Sequence, residues 1–237
     1  MKSASAVESH NDGGPDPRIS LFDELYVTDL GLDYERQAQS HGYRFIAGVD
    51  EVGRGCVAGP VVAAACILDL DRSLPEGLND SKKVTPNLRE QIAAELKETC
   101  IAYAIGQIEA DEIDRINILE ATKKAMLAAI GSLEPAADFL LVDALQLKHS
   151  PLPQMPIIKG DAISASIAAA SILAKTYRDN LMCEYDQLYP AYGFASHKGY
   201  GCQAHWQALN HLGPCSIHRM SFHGVVPAEP VTLGLFD

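Results

Sequence analysis

The sequence predicts an α/β fold in which a mixed central sheet is flanked by helices, with a further helical region toward the C-terminus. Two short β-rich runs come early, at 45–49 and 61–68, and helical and extended segments alternate after them. The chain has 237 residues, of which 47% are hydrophobic. That is enough to bury one sizeable core, so we expect one folded domain with short tails.

Five strands are predicted in chain order. The first, at 45–49, ends in Asp50-Glu51 and a glycine turn, and the second, at 61–68, follows a tight loop. Three shorter apolar runs, at 103–108, 139–142 and 156–158, complete the set. Because helical segments separate the later strands, we expect parallel as well as antiparallel neighbours in the sheet.

Three helices are predicted between and after these strands. The first covers 86–99, with Thr85 as its N-cap and a proline in its first turn. The second covers 111–130. The third covers 164–185 and is the clearest of the three, because its apolar residues recur at helical spacing over its whole length.

Four regions are predicted along the chain. Residues 1–20 are polar and cannot bury enough surface to order themselves, so we expect a disordered tail there. A helical pattern at 21–42 indicates an extension packed on the main domain. That domain is expected to cover 43–223, and a C-terminal tail to cover 224–237.

Composition argues against several classes of protein. The longest apolar run, at 61–68, is too short to span a bilayer, and the first 20 residues hold no hydrophobic core of a signal peptide. The six cysteines are scattered without a CxxC pair, which disfavours a zinc knuckle and a disulfide framework. We therefore expect a cytoplasmic, monomeric protein with reduced thiols and no membrane partner.

The net charge of −12 argues at first sight against a nucleic-acid partner, because binding to a phosphate backbone usually draws on a basic surface. The distribution of charge weakens that objection. Residues 187–228 contain no Asp or Glu, while Lys198, Arg219 and five histidines fall within them. Carboxylates that surround bound cations also add to the formal negative charge without repelling a phosphate once the metal is in place.

Four acidic residues follow short strands where these meet a turn or the start of a helix. They are Asp50, Glu51, Asp143 and Asp161. Each one alone is explained equally well as a strand end or a helix cap, but strand ends converge at one edge of an α/β sheet, where ligands bind. Clustered carboxylates without His or Cys suit hard cations such as Mg²⁺ or Mn²⁺. Two such ions about 4 Å apart can catalyse phosphoryl displacement.

The stretch from Ala47 to Pro60, AGVDEVGRGCVAGP, resembles the signature of the ribonuclease HII family. The resemblance extends in order from about residue 43 to residue 223. The other matching motifs are Asp80-Ser-Lys-Lys83, Glu112 to Ile118, Leu141-Val-Asp143, Lys159-Gly-Asp161, Ala168 to Lys175, Arg178-Asp179, His197-Lys-Gly-Tyr200 and Ile217-His-Arg219 with Ser221-Phe222.

This resemblance implies a ribonuclease H-like fold and an endonuclease that acts on RNA–DNA hybrids. It implies cleavage of the RNA strand, and cleavage 5′ to single ribonucleotides embedded in duplex DNA, leaving a 3′-hydroxyl and a 5′-phosphate. The catalytic and metal-binding residues that it implies are Asp50, Glu51, Asp143 and Asp161, holding two divalent ions, Mg²⁺ or Mn²⁺. Three positions depart from the family pattern: Ala144 follows Asp143 where glycine is common, Ile163 lies two residues after Asp161 where Lys or Arg is usual, and Met220 replaces an arginine of the usual His-Arg-Arg run.

The resemblance also implies a set of nucleic-acid-binding residues. The loop Gly53-Arg54-Gly55 would meet the backbone around the ribonucleotide, and Tyr200 would stack on the sugar at the RNA–DNA junction. The remaining predicted contacts are lysines that grip phosphate, namely Lys82, Lys159 and Lys198. Arg178 and Asp179 are expected to pair with each other on the surface of the long helix.

Three alternative assignments fit parts of the sequence. Residues 53–58 also satisfy a loose dinucleotide-binding fingerprint, which would indicate a nicotinamide oxidoreductase, but that fingerprint needs a helix next and Pro60 leads into a predicted strand. A non-catalytic nucleic-acid-binding relative would be expected to lack one of the four acids. The related ribonuclease HIII carries a substantial N-terminal domain, for which the residues before the signature are too few.

The C-terminal segment 232–237, TLGLFD, resembles the peptide with which bacterial proteins dock on a sliding clamp. The residues that would make the contact are Leu233, Leu235 and Phe236, with Thr232 in the place of the usual glutamine. Two prolines upstream favour an extended linker. The alternative is that Leu235 and Phe236 pack back onto the catalytic domain.

Overall fold

The structure is a computed structural model that describes residues 27–226. The predicted disordered tail and the clamp-binding segment lie outside the described residues. In chain order the elements are α1 (Asp33–Ser40), β1 (Ile46–Val52), β2 (Val61–Ile67), α2 (Pro86–Thr99), β3 (Ala102–Ile108), α3 (Ala110–Ile116), α4 (Ile118–Gly131), β4 (Phe139–Asp143), β5 (Gln154–Ile157), a 3₁₀ turn (Gly160–Ala162), α5 (Ala165–Leu188), α6 (Phe194–His197) and α7 (Gln203–Leu212). No helix of residues 27–226 is both long and apolar enough to cross a membrane.

The predicted mixed sheet is confirmed, with strand order β3-β2-β1-β4-β5. The first three strands form an antiparallel set, in which β2 pairs with both β1 and β3. On its other side β1 is parallel to β4, and β4 is parallel to β5. The carboxyl ends of β1, β4 and β5 therefore lie at the same edge of the sheet.

Every residue of β2 is buried, because helices cover both faces of the sheet. Val61, Ala63, Ala65 and Ile67 belong to the core cluster that includes residues of α4. The alternate residues, Val62, Ala64 and Cys66, belong to the cluster that includes residues of α2 and α5. The alternation of side chains along one strand thus divides the core into two layers.

The second predicted helix, at 111–130, is two helices, so that prediction is wrong. α3 ends at Ile116 and α4 begins at Ile118. Between them Asn117 adopts a left-handed φ of 69°, and its side-chain oxygen accepts hydrogen bonds from the backbone N–H groups of Leu119 and Glu120. Asparagine tolerates this conformation and is a favoured N-cap, so a single residue both ends one helix and begins the next.

The predicted surface pair of Arg178 with Asp179 is also wrong. Arg178 is fully buried and donates to three backbone carbonyl groups, whereas Asp179 binds Arg89 at 2.9 Å and Lys175 at 2.7 Å. The side chains of adjacent residues on a helix point in different directions, so Arg178 and Asp179 do not face each other. Thr85 precedes α2 as predicted, but its side chain makes no capping hydrogen bond.

Of the predicted helical extension at 21–42, the part from residue 27 onward contains α1, which anchors the start of α5. Glu35 is fully buried, and one of its oxygens accepts from the hydroxyl groups of Ser164 and Ser166 at 2.6 Å each and from the backbone N–H of Ser166 at 2.9 Å. The backbone N–H of Ala165 donates to the carbonyl of Gly31 at 2.8 Å. Two backbone donors in the first turn of α5, those of Ala165 and Ser166, are therefore satisfied by Gly31 and by Glu35 of α1.

β1 and α5 are in direct backbone contact at Gly48. A Cβ atom added there would lie 2.0 Å from the carbonyl carbon of Ser166 and 2.3 Å from the backbone nitrogen of Ile167. The facing turns of α5 carry small residues, including Ala168, Ala169 and Ala170, all fully buried. No side chain separates the strand from the helix at this point, so neither can shift to accept one.

We expect Gly48→Ala to lower the free energy of unfolding by about 3 kcal/mol or more, because the clash is with backbone atoms that cannot rotate away. Urea denaturation measures the change. The matched control is Gly131→Ala at the end of α4, where an added Cβ meets nothing within 4 Å. It should be neutral or stabilise by up to about 1 kcal/mol. Equal stability of the two variants would contradict this account of the contact.

Candidate active site

The acidic residues predicted from strand ends lie at the carboxyl edge of the parallel strands. Val49 of β1 is in register with Val142 of β4. Asp50 and Asp143 are the next residues along these two parallel strands, so they lie side by side. Asp50 is buried, with 6% of its surface exposed. Its Oδ1 accepts a hydrogen bond of 2.7 Å from the backbone N–H of Glu51.

Asp161 lies in the 3₁₀ turn between β5 and α5 and is also buried. The backbone N–H of Gly160 donates to Oδ1 of Asp143 at 2.8 Å, which ties the Asp161 turn to the end of β4. An added Cβ at Gly160 would lie 2.5 Å from the side chain of Ile167 and 3.4 Å from that same carboxylate oxygen. Glycine at this position therefore permits the close approach of the 3₁₀ turn to Ile167 and Asp143.

The four carboxylates act on one another electrostatically. Burial, followed by the charges of Glu51 and Asp143, raises the pKa of Asp50 well above its ordinary value. Burial also raises the pKa of Glu51, against the lowering effect of Arg54, and Asp143 adds to the rise. The pKa of Asp143 is raised by burial and by Asp161. The side chains that the sequence places at strand ends therefore lie close enough together to raise one another's pKa.

Sequence reasoning missed Asp80 as a member of this group. Burial and then the charge of Asp80 raise the pKa of Asp161, and a hydrogen bond between the two carboxyl groups adds to the rise. The next residue, Ser81, is bonded to Ser171 of α5 at 2.9 Å, and Ser171 in turn donates to Asp50. The available signal is the polar motif Asp80-Ser-Lys-Lys83, in which the sequence predicts a role only for Lys82, as a phosphate contact.

Two cations lie against the cluster. Lys82 Nζ lies 3.6 Å from Asp161 Oδ2, and Arg54 Nη1 lies 3.2 Å from Glu51 Oε1. Burial lowers the pKa of Lys82, but the charges of Asp161, Asp80, Asp50 and Asp143 together outweigh it and raise the pKa. The Lys82 side chain is mostly exposed, but the summed negative charge of the acidic cluster still raises its pKa.

The donor set fits hard divalent cations, because it consists of carboxylate oxygens. Glu51 Oε2 is buried and has no hydrogen-bond partner, which is the condition of an oxygen that a cation would satisfy. Within residues 27–226, no three His, Cys, Asp or Glu side chains lie close enough together to hold one ion as they stand. Lys82 and Arg54 balance part of the charge that metal ions would balance.

Two buried guanidinium groups bind the backbone carbonyl groups of the glycine loop and of the residues that follow it. Arg219 donates to the carbonyl groups of Gly53 at 2.7 Å, Arg54 at 2.9 Å and Gly59 at 3.0 Å. Arg178 donates in the same way to Ala58 at 3.1 Å, Pro60 at 3.0 Å and Lys198 at 2.8 Å. Both side chains are fully buried, and burial lowers the pKa of Arg219 to about 10. Sequence reasoning recognised their charge but not this role.

Gly53 shows why the loop needs glycine. Its φ is 90°, and an added Cβ would lie 2.3 Å from Nε of Arg178. Gly55 has open space around its Cα. Tyr200 lies beside this loop, because its backbone forms an antiparallel bridge with Cys56, and 44% of its surface is exposed. The structure therefore places the exposed Tyr200 beside the end of the glycine loop, while the contacts predicted for both with nucleic acid stay predictions.

The three predicted phosphate-binding lysines lie in different places. Lys82 and Lys159 are near Asp161, with Lys159 exposed in a left-handed conformation of φ 57° just before the turn. Lys198 points toward α5, where its ammonium group contacts Cys183 Sγ at 2.8 Å and the backbone carbonyl of Asp179 at 3.2 Å. The structure thus brings Lys82 into contact with Asp161, leaves Lys159 exposed two residues before Asp161, and turns Lys198 toward α5.

Comparison with known proteins identifies the family. Residues 47–225 match the family model described as Ribonuclease HII. This chain belongs to the ribonuclease HII family. A ribonuclease HII from Ruminiclostridium cellulolyticum is 54% identical over 191 residues, which cover 81% of this chain and 74% of that protein. A ribonuclease HII from Geobacter sulfurreducens is 53% identical over 207 residues, which cover 87% and 94%.

Solved structures support the fold. The crystal structure of the ribonuclease H2 from Pyrococcus horikoshii OT3 matches with a TM-score of 0.65 and 26% identity, over 77% of this chain and 95% of that one. The ribonuclease HII in the PCNA complex from Archaeoglobus fulgidus matches with a TM-score of 0.63 and 26% identity, over 74% and 92%. Bst-RNase HIII in complex with Mn²⁺ is 19% identical with a TM-score of 0.59 and supports the fold alone.

Membership of the ribonuclease HII family makes this chain an endoribonuclease, as the sequence predicted. Enzymes of the family act on RNA–DNA hybrids and depend on divalent metal ions. The dinucleotide-binding alternative also fails on the structure, because residues 56–60 form no helix and lead into β2 at Val61, whereas that fingerprint requires a helix after the glycine loop.

Next to Tyr200, this ribonuclease HII has a pair of buried neutral histidines. His205 Nδ1 lies 2.9 Å from the carbonyl oxygen of Tyr200, so that nitrogen carries the proton. His205 Nε2 must then accept from His218 Nε2 at 3.0 Å. His218 Nδ1 is left as an acceptor for the backbone N–H of Cys215 at 2.9 Å. Burial lowers the pKa of His205 to about 4 and also lowers that of His218.

This network predicts a loss of stability on acidification. The pKa of His205 is lower in the folded chain than in the unfolded chain, so the unfolded chain binds protons first between about pH 6.5 and pH 4. We expect the free energy of unfolding that His205 contributes to fall by roughly 1 to 2 kcal/mol between pH 7 and pH 5.

The measurement compares wild type with His205→Gln by urea denaturation at both pH values. The carboxyl groups of the acidic cluster have raised pKa values, so they add stability as the pH falls. Both proteins contain them, so their effect cancels in the difference between the two free energies of unfolding. That difference should shrink as the pH falls. The control, His211→Gln, removes an exposed histidine and should show no such change. A wild-type advantage over His205→Gln that is equal at pH 7 and pH 5 would contradict the prediction.

Proposed function

We propose that this ribonuclease HII hydrolyses the RNA strand of RNA–DNA hybrids and also cuts 5′ to single ribonucleotides in duplex DNA, leaving a 3′-hydroxyl and a 5′-phosphate. The observation that carries the proposal is the adjacency of two surfaces. The glycine loop begins two residues after Glu51 and lies beside Tyr200, so the group that we propose to bind phosphate and ribose adjoins the acidic cluster.

The four carboxylates of Asp50, Glu51, Asp143 and Asp161 are proposed to be the groups that would hold two divalent ions, Mg²⁺ or Mn²⁺. When bound, the ions supply an activated water and charge stabilisation at the leaving oxygen. Asp50 and Asp143 are fixed by neighbouring strands, and the Gly160 N–H orients Asp143. Catalysis then depends mainly on the positioning of charged groups.

Recognition of the substrate is proposed to come from the loop and the tyrosine. The carbonyl groups of Gly53 and Arg54 face the buried Arg219, which holds the loop rigid from within. Tyr200 offers an exposed ring that can stack on the sugar at the RNA–DNA junction, and the 2′-hydroxyl distinguishes the ribonucleotide. Lys82 and Lys159 add positive charge for phosphate beside Asp161.

The variant Asp143→Asn tests the proposed catalysis. It removes one charge from the acidic cluster at nearly constant shape, so we expect cleavage to fall by roughly 10³-fold or more. The chain should stay folded and gain slightly in stability, because the carboxylates repel one another.

The assay uses a labelled DNA duplex with one ribonucleotide, in Mg²⁺, Mn²⁺ or EDTA. The matched control is Asp111→Asn, which changes an exposed aspartate on α3 that pairs with Arg115. Wild type should cut in a divalent ion and not in EDTA. Cleavage by wild type in EDTA, or undiminished turnover by Asp143→Asn, would overturn the proposal.

The variant Tyr200→Ala tests the proposed reading of the junction. We expect cleavage at a single ribonucleotide to fall by about tenfold or more, which is more than any loss of affinity for an all-DNA duplex, because stacking on the sugar is absent while phosphate contacts remain. Tyr177→Ala is the control, since Tyr177 is exposed to a similar extent, 41% against 44%. Parallel losses of cleavage and of all-DNA binding would refute the assignment.

We also propose that the segment 232–237 docks the enzyme on a sliding clamp through Leu233, Leu235 and Phe236. Its sequence carries the proposal, and the solved complex of an archaeal ribonuclease HII with PCNA gives a precedent in that protein. Tethering would raise the local concentration of enzyme at replicated DNA without adding a contact at the active site.

Calorimetry of the full chain against a bacterial sliding clamp tests this docking. Binding should be present for the wild type and absent for the double variant Leu235→Ala, Phe236→Ala and for a chain ended after residue 226. The competing arrangement, in which the segment packs on the catalytic domain, predicts instead that the double variant lowers thermal stability. Absence of binding by the wild type at high micromolar concentration removes the proposal.

A further inference from the structure

The side chains of Cys183 and Lys198 form a contact that the proposed cleavage reaction does not use. Lys198 Nζ lies 2.8 Å from Cys183 Sγ, and its other recorded partner is the backbone carbonyl of Asp179 at 3.2 Å. The nearby carboxylate of Asp179 is occupied by Arg89 and Lys175. Among residues 27–226, no carboxylate lies within ion-pair distance of Lys198, so the thiol is the reactive neighbour of this amine.

Folding alone creates this pair. Cys183 is on α5, whereas Lys198 follows α6, and the two are 15 positions apart in the sequence. Lys198 is held in a left-handed conformation with φ 52°, its backbone N–H donates to Phe194 at 2.8 Å, and its carbonyl accepts from the buried Arg178 at 2.8 Å. The backbone on both sides of the contact is therefore fixed, and the amine is kept next to the sulfur.

The pair is accessible to a small reagent. Cys183 and Lys198 both line a surface cavity of about 360 Å³, together with Arg89, Thr176 and Asn180. Neither side chain is fully buried. The cavity has ample room for hydrogen peroxide, whose reaction with a thiolate requires access to the sulfur.

We propose that Cys183 and Lys198 are a modification site at which hydrogen peroxide closes a covalent sulfur–nitrogen bond. In the first step the Cys183 sulfur attacks one peroxide oxygen, the O–O bond breaks, and a sulfenic acid and water form. In the second step the unprotonated Lys198 amine attacks that sulfur, the S–O bond breaks, and the leaving oxygen departs as a second water.

The overall change consumes one thiol, one amine and one peroxide, and yields one sulfenamide and two waters. The sulfur is oxidised by two electrons and the peroxide is reduced by two. A dithiol reverses the change, because its own oxidation to a disulfide returns the two electrons and restores the thiol and the amine. The site is thus a reversible cross-link between α5 and the segment that leads to Tyr200.

The cross-link has a consequence for substrate binding that rests on the proposed function. Lys198 lies two residues before Tyr200, and the intervening Gly199 carbonyl accepts from the backbone N–H groups of Val57 at 2.9 Å and Ala58 at 3.3 Å. Closing the bond removes the positive charge of Lys198 and restrains this segment against α5. We expect weaker binding to a duplex that contains one ribonucleotide, with recovery after treatment with a dithiol.

The test is mass spectrometry of the full chain after treatment with equimolar hydrogen peroxide. The intact mass should fall by two hydrogen atoms, and protease digestion should give joined peptides that contain Cys183 and Lys198. Dithiothreitol should restore the original mass. The joined peptides should be absent from Cys183→Ser, from Lys198→Arg and from wild type treated in urea. Cys202→Ser, which removes an exposed thiol, should still give them.

Oxygen added to Cys183 without a link to Lys198 would overturn the proposal, and so would a Cys183 that remains unmodified while Cys202 reacts. Because Lys198→Arg keeps the charge and the thiol, it separates loss of the amine from loss of the fold. The readout is a mass and does not depend on cleavage. A negative result therefore leaves the proposed function standing, and a failed cleavage assay leaves this site standing.

Discussion

The contact between β1 and α5 at Gly48 is the constraint on which the rest of the structure depends. With no side chain between them, the central strand and the longest helix meet backbone to backbone. This fixes the position and direction of α5 across the sheet, and later turns of the same helix then contact residues from other parts of the chain. Ser171 contacts Asp50, Arg178 contacts the carbonyl group of Ala58, and Cys183 contacts Lys198. An interior packed this closely allows little independent adjustment.

The site separates opposite charges over a short stretch of chain. Asp50 and Glu51 end β1 among repelling carboxylates, while the loop that follows them rests on the buried guanidinium groups of Arg178 and Arg219. Burying a cation without a carboxylate is costly unless carbonyl groups surround it. Here six carbonyl contacts supply that compensation, three for each arginine. The loop consequently has little freedom to collapse onto the carboxylates.

The sequence predicted most of the sheet, and the position of the four acidic residues at or just after strand ends, because both depend on local patterns. An apolar run that ends in an acidic residue marks the end of a strand, and this signal does not depend on which strand is its neighbour. Parallel pairing then brings such strand ends to the same edge of the sheet. What was missed depends on contacts across the chain. Asn117 divides a helix whose apolar pattern continues on both sides, and only its left-handed backbone reveals the break. Asp80 and the burial of Arg178 depend on how distant segments pack, which no local pattern encodes.

The attachment of α1 to α5 affects where this protein can be trimmed. The family match begins at residue 47, which invites the view that the working unit begins there as well. The first turn of α5, directly after the Asp161 turn, nevertheless takes its hydrogen-bond acceptors from Glu35 and Gly31. A fragment cut at residue 47 would leave the hydroxyl groups of Ser164 and Ser166 and two backbone N–H groups without those acceptors, close to the Asp161 carboxylate. The smallest fragment that keeps this junction intact has to begin before Gly31.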